Sequence, residues 1–199
     1  MSEIICVTNV ALCSEPLESR IAALAAAKPK AVLLRAKELS PTEYRRLAEA
    51  ALQICKRYDT RCILHNFPSI AAELRADALH LPLPALRALG KDAFSAFSVR
   101  GASCHSVADA KMAQDYGCTY ITCGHIYETD CKKGLPARGL SLLQSVCTAV
   151  DIPVYAIGGI TPQNLPAVFA AGAQGACVMQ GAMRCTDTKA YLEAFANAF

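Results

Sequence analysis

Short apolar runs alternate with longer stretches whose apolar residues recur at helical spacing, and the alternation repeats eight times along the chain. The short runs predict strands over Ile4–Val7, Ala31–Leu34, Cys62–Leu64, Ala78–His80, Val99–Ser103, Thr119–Cys123, Val154–Ile157 and Gly175–Met179. Helix starts stand between them: Ser40 before Pro41 with Glu43 three residues on, Ser106 with Asp109 three residues on, and Thr161 before Pro162. Gly117 and Gly172 fall where helices should stop. Eight strands, each followed by a helical segment, predict an α/β fold of the (β/α)8 TIM barrel kind. No Pro/Gly/Ser-rich linker or change of composition interrupts the pattern, so one domain is expected over residues 1–199. A doubly wound open sheet uses the same alternation, but the Gly-rich dinucleotide fingerprint that often follows its first strand is missing.

The bulk properties narrow the function classes. With 199 residues the chain is near the short limit for a barrel, yet long enough for a substantial core. Its net charge is +3, with both signs mixed along the sequence, so neither a nucleic-acid footprint nor a basic membrane-binding face is present. The opening Met1-Ser2-Glu3-Ile4-Ile5-Cys6-Val7 lacks the layout of a secretory signal, and no apolar segment is long enough for a bilayer. The eleven cysteines are odd in number and lie mostly inside apolar runs, as Cys6, Cys62, Cys123 and Cys177 do, where a thiol serves as a small hydrophobe. A reduced, cytoplasmic protein is expected, with neither nucleic acid nor membrane as partner. A homo-oligomer is compatible with such a chain.

A TIM barrel carries its active site at the C-terminal ends of its strands. Arg35 and Lys37 follow the second run, His65 and Asn66 the third, His80 ends the fourth, and Ser103 and His105 belong to the fifth. His125 to Lys132 follow the sixth, Gly158 and Gly159 the seventh, and Gly181 the eighth. The stretch Gly124-His125-Ile126-Tyr127-Glu128-Thr129-Asp130-Cys131-Lys132-Lys133-Gly134 is the most informative. It joins an imidazole, carboxylates, a hydroxyl and two ammonium groups directly to a buried-looking run, a mixture that a structural core does not need. An imidazole titrates near neutrality and can both take and return a proton. In Ile157-Gly158-Gly159-Ile160-Thr161-Pro162, free backbone N–H groups suit a phosphate. The two stretches together point to acid/base chemistry on a small phosphorylated molecule. Cys118, Cys123 and His125, or Cys104 with His105, fit no closed zinc site, so no metal and no cofactor are expected. His65 and His80 read as structural.

The run from Cys123 to Gly134, with Arg138-Gly139-Leu140-Ser141-Leu142-Leu143 behind it, closely resembles the TenI-type thiazole tautomerases of the thiamine phosphate synthase superfamily. Leu34-Arg35-Ala36-Lys37, Gly101-Ala102-Ser103-Cys104-His105-Ser106 and the Gly158-Gly159 stretch support the resemblance, which spans nearly the whole chain. It implies aromatisation of a carboxythiazole phosphate: a proton leaves ring carbon two and another is added at the exocyclic carbon. His125 holds the family's position for the proton shuttle. The resemblance further implies Arg35, Lys37, Asn66, Ser103, Thr129, Lys132, Gly158, Gly159 and Gly181 as substrate contacts, with the phosphorylated thiazole as partner.

Synthases of the same superfamily use magnesium and usually carry Asn-Asp after strand three and His-Leu-Gly-Gln-Glu-Asp after strand four. Here those segments read Asn66-Phe67 and His80-Leu81-Pro82-Leu83-Pro84-Ala85, without either carboxylate. Gly124-His125 also replaces the usual Gly-Pro, and Thr129-Asp130-Cys131-Lys132 replaces Thr-x-Thr-Lys. A synthase with altered ligands and a catalytically silent thiazole or thiamine phosphate binder stand beside the tautomerase as readings.

Overall fold

The computed structural model describes residues 3–198. Met1 and Ser2 of the amino-terminal run read above lie outside them, as does Phe199. Eight parallel strands follow one another in chain order and close into a barrel. They are β1 (Ile4–Val7), β2 (Ala31–Leu34), β3 (Cys62–His65), β4 (Ala78–Pro82), β5 (Val99–Cys104), β6 (Tyr120–Gly124), β7 (Val154–Ile157) and β8 (Gly175–Val178). Strand β1 pairs with both β2 and β8, Ile5 standing opposite Ala31 on one side and Cys177 on the other, which excludes the open doubly wound sheet.

Successive side chains of a strand face opposite ways, and the barrel sorts them by that alternation. Ile5, Val7, Ala31, Leu33, Ile63, Ala78, Tyr120, Tyr155 and Cys177 fill the interior as one cluster. The alternate positions, among them Ile4, Cys6, Val32, Leu34, Leu64, Leu79 and Ile121, pack under the helices in the larger core. Both faces are covered, which is why the strands read as continuous apolar runs. Cys6, Cys62, Cys123 and Cys177 are buried as read, and all eleven cysteines are unpaired.

The outer layer comprises α1 (Leu17–Ala26), α2 (Pro41–Arg57), α3 (Pro68–Glu73), α4 (Leu83–Leu89), α5 (Lys91–Ser95), α6 (Val107–Asp115), α7 (Gly139–Ala149), α8 (Leu165–Ala170), α9 (Gln180–Arg184) and α10 (Thr188–Ala196). Helix α2 starts on the capping box read from Ser40 and Glu43, each side chain satisfying the other's backbone N–H. The Ser106 hydroxyl caps α6 by accepting from the N–H of Asp109. Gly117 and Gly172 follow the last turns of α6 and α8 with φ of 85° and 97°, the left-handed stop expected of them.

One start is displaced. Thr161 and Asn164 instead hydrogen-bond reciprocally, side chain to backbone N–H, and this local turn holds the chain until α8 begins at Leu165. The eighth strand is also followed by two helices, so that Gly181 lies inside α9 and not in a strand-end loop. Among the described residues no helix is long and apolar enough to cross a membrane.

Candidate functional site

The site grows from the end of β6. Gly124 is the last residue of that strand, so His125 emerges at the C-terminal rim. Its segment lies flat against the turn after β7: the N–H of Ile126 donates to Ile157 O and that of Tyr127 to Gly158 O, both at 3.0 Å. This contact explains the paired glycines. A Cβ on Gly158 would collide with Cβ and Cα of His125, and one on Gly159 would press on Tyr127 and the carbonyl of Glu128. Both glycines also hold positive φ, 99° and 66°. Neither donates its N–H to a carbonyl among the described loop contacts, and the N–H of Gly181, in the first turn of α9, has no intrahelical acceptor.

His125 is buried beneath the loop that follows it. Its Nε2 lies 3.3 Å from Leu135 O, an acceptor, so Nε2 is the nitrogen that donates and Nδ1 is left outside that bond. The backbone on either side is tied down. His105 Nδ1 donates to Gly124 O at 2.7 Å, Arg138 Nη1 donates to His105 O at 2.9 Å, and the N–H of Arg138 donates to His125 O at 3.0 Å. The loop that covers His125 borders a cavity of about 640 Å3, lined by Glu128, Thr129, Lys132, Leu135, Gly159 and Gln180, among others, with the His125 ring itself outside the lining. That size suits a small ligand. Gln180 Nε2 reaches Asp130 Oδ2 at 3.1 Å and joins the loop to α9.

The opposite side of the mouth is built by β2, β3 and a tyrosine of α2. The buried Tyr44 hydroxyl donates to Leu34 O at 3.1 Å and accepts from the N–H of His65 at 2.9 Å, fixing the ends of both strands. Thr8 Oγ1 accepts from the N–H of Arg35 and donates to Arg35 O, at 2.9 and 3.0 Å. His80 lies deeper, with Nδ1 on the Tyr120 hydroxyl and Nε2 on that of Ser103, each at 2.9 Å. Burial, aided by His65, pushes His80 down to about 3, and burial with the charge of Arg35 pushes His65 down to about 4. Both imidazoles are therefore neutral at physiological pH.

The candidate catalytic and substrate-contacting residues lie at C-terminal strand ends or in the segments after them, but they fall into groups. Thr129, Lys132 and Gly159 share the cavity next to His125, and Gly181 adjoins its Gln180. Arg35 and Asn66 stand at the β2 and β3 ends, Asn66 donating its N–H to His80 O, while Lys37 is exposed beyond them. Ser103 is engaged with His80. Tyr44, Gln180 and Leu135 were not among the residues read from the sequence. Gln180 was accessible in principle, two residues past β8; Tyr44 and Leu135 act through long-range backbone contacts that no local pattern marks.

The donor set at the β3 and β4 ends does not fit the magnesium that the synthases use. Phe67 precedes α3 and packs its ring 4.2 Å from that of Tyr44, and Ala85 lies within α4. Among the described residues no group of three or more His, Cys, Asp or Glu is arranged to hold a metal. Magnesium bound with a phosphorylated substrate relies on one or two protein carboxylates, and none stands at these two strand ends.

The family described as Thiamine monophosphate synthase (TMP-TENI) matches residues 4–182. A thiamine-phosphate synthase of Alcanivorax borkumensis is 33% identical over 174 residues, covering 85% of this chain and 80% of its own. One of Fusobacterium nucleatum is 31% identical over 169 residues, covering 82% and 80%. In structure, the thiamine phosphate pyrophosphorylase of Pyrococcus furiosus superposes with a TM-score of 0.83 at 23% identity, over 98% of this chain and 94% of that one. With its barrel and nearly its whole length matched, the chain belongs to the TMP-TENI family of thiamine biosynthesis.

Proposed function

We propose that this member is a thiazole tautomerase, converting the non-aromatic, exocyclic-alkene form of a carboxythiazole phosphate into the aromatic carboxythiazole phosphate without a metal. The observation that carries the reading is the buried His125, hydrogen-bonded through Nε2 to Leu135 O and set against Gly158 at the barrel mouth. With the proton held at Nε2, Nδ1 takes the proton from ring carbon two, and the imidazolium so formed returns a proton to the exocyclic carbon. One group suffices because the substrate is isomerised and not hydrolysed. The N–H groups of Gly158, Gly159 and Gly181 take the phosphate, as in other barrels with an anion site after strands seven and eight. Thr129 and Lys132 line the adjoining cavity, and Arg35, Lys37, Asn66 and Ser103 face the substrate from the β2, β3 and β5 sides.

A second reading is the coupling of a pyrimidine pyrophosphate to a thiazole phosphate, favoured by the names of the relatives. Ionisation of a pyrophosphate needs its charge neutralised, and Phe67 and Ala85 supply no ligand for the magnesium that does so. The test is product formation followed by proton NMR in excess chelator. Unimpaired tautomerisation is expected; a strict magnesium requirement, or efficient coupling of the two synthase substrates, would transfer the assignment to the second reading.

A further inference from the structure

His65 is the histidine that the reaction as described leaves unused. Ile63 belongs to the barrel interior, and His65, two residues on, shares its inward face. Its ring stacks over that of His80, with centroids 5.9 Å apart and planes within 19°. Leu34 stands opposite Leu64, so Arg35 and His65 are neighbours one position further up adjacent strands. Arg35 follows Leu33 at the same inward spacing.

The two histidines differ in one respect. Both nitrogens of His80 are hydrogen-bonded, whereas His65 Nδ1 is buried with no partner among the described residues. Arg35 Nη1, also buried, has no hydrogen bond among them either, the Glu38 carboxylate being 4.0 Å away. Native proteins rarely leave buried polar nitrogens unpaired. A guanidinium only donates, and the His65 ring, kept neutral by burial and then by the charge of Arg35, can carry its one N–H at Nδ1, so that both side chains can donate to the same acceptor.

We propose that His65 is a ligand-contacting residue, forming with Arg35 a two-donor subsite on the β2–β3 side of the barrel mouth for an anionic oxygen of the bound molecule. The inference builds on the tautomerase reading, in which a phosphate lies on the β7–β8 side and the substrate carboxylate reaches across to this subsite. The same chemistry would take a phosphoryl oxygen of a pyrophosphate, and the experiment separates the two sources.

Calorimetric affinities of the full chain for the aromatic carboxythiazole phosphate, for thiazole phosphate lacking the carboxylate and for inorganic pyrophosphate are compared in wild type, His65→Leu and His65→Asn. Leucine removes the donor, and asparagine restores an N–H near the Nδ1 position. A hydrogen bond to a charged group predicts that His65→Leu binds the carboxylated ligand about tenfold or more weakly while thiazole phosphate is held as before, and that His65→Asn recovers most of the loss. Unaltered thiazole phosphate affinity also reports an intact mouth. If the wild type ignores the carboxylate but binds pyrophosphate, and His65→Leu weakens that binding, the subsite stands while the tautomerase reading falls. Equal affinity of wild type and His65→Leu for both anions, or a loss of all three ligands that asparagine does not repair, would overturn the proposal and leave His65 a packing residue.

Discussion

Replacing Gly158 with alanine tests the contact on which the site is built. The residue has φ of 99°, a conformation that costs an L-residue roughly 1–2 kcal/mol. The added Cβ would also stand against the Cβ and Cα of His125, the latter at 2.8 Å, and such overpacking costs about 1–3 kcal/mol more. Gly117 offers an internal control, with φ of 85° but no heavy atom within 4 Å of the new Cβ. Gly117→Ala should therefore show only the backbone cost, roughly 1–2 kcal/mol, and Gly158→Ala roughly 2–5 kcal/mol. Urea unfolding followed by circular dichroism measures both, and a thermal scan should show Gly158→Ala melting roughly 2–12 °C below Gly117→Ala. Turnover should fall in Gly158→Ala, because His125 is what must move, and persist in Gly117→Ala. Equal destabilisation of the two variants would refute the close approach, and full activity in a destabilised Gly158→Ala would detach His125 from the chemistry.

Three further outcomes follow from the same geometry. In the unfolded chain His65 and His80 take up protons near pH 6.5, whereas the fold holds them to about 4 and about 3; the unfolded state binds more protons between those values. Their contribution to stability is thus complete above pH 6.5 and is lost on acidification, the share of His65 ending near pH 4 and that of His80 near pH 3, so a urea midpoint unchanged between pH 7 and pH 4.5 would contradict their burial. Tyr44→Phe strands Leu34 O and the N–H of His65, and should lower stability by about 1–3 kcal/mol and weaken anion binding; an unchanged melting temperature would mean the bridge is dispensable. A crystal grown with phosphate should hold the anion against the backbone of Gly158, Gly159 and Gly181, and an anion found only at Arg35 and Lys37 in a ligand complex would reverse the substrate's orientation.

The strands were legible because each is a short apolar run buried on both faces; β1, β2 and β7 have the bounds read from the sequence, and the others differ by one or two residues at their ends, His65 extending β3 and Leu81 and Pro82 extending β4. Thr161-Pro162 misled because a side-chain turn used the same residues as a helix cap. His125 stood out through its chemical company, and the barrel rule put it at the mouth. The cover formed by Leu135 O was illegible, since it depends on how an exposed loop folds back over the ring. His65 and His80 look alike in the sequence, and only the hydrogen bonds that His80 makes with Tyr120 and Ser103 separate a satisfied core histidine from one with a nitrogen to spare.

The central claim is that His125 moves the protons, and turnover and product affinity of His125→Asn test it together. A positioned general acid/base contributes about a hundredfold to ten-thousandfold in rate, so the variant should lose turnover in that range while binding the aromatic carboxythiazole phosphate nearly as well as wild type. Near-normal turnover would contradict the account and direct the search to Glu128 on the cavity wall, and loss of product binding along with turnover would make His125 a ligand contact and not the proton shuttle.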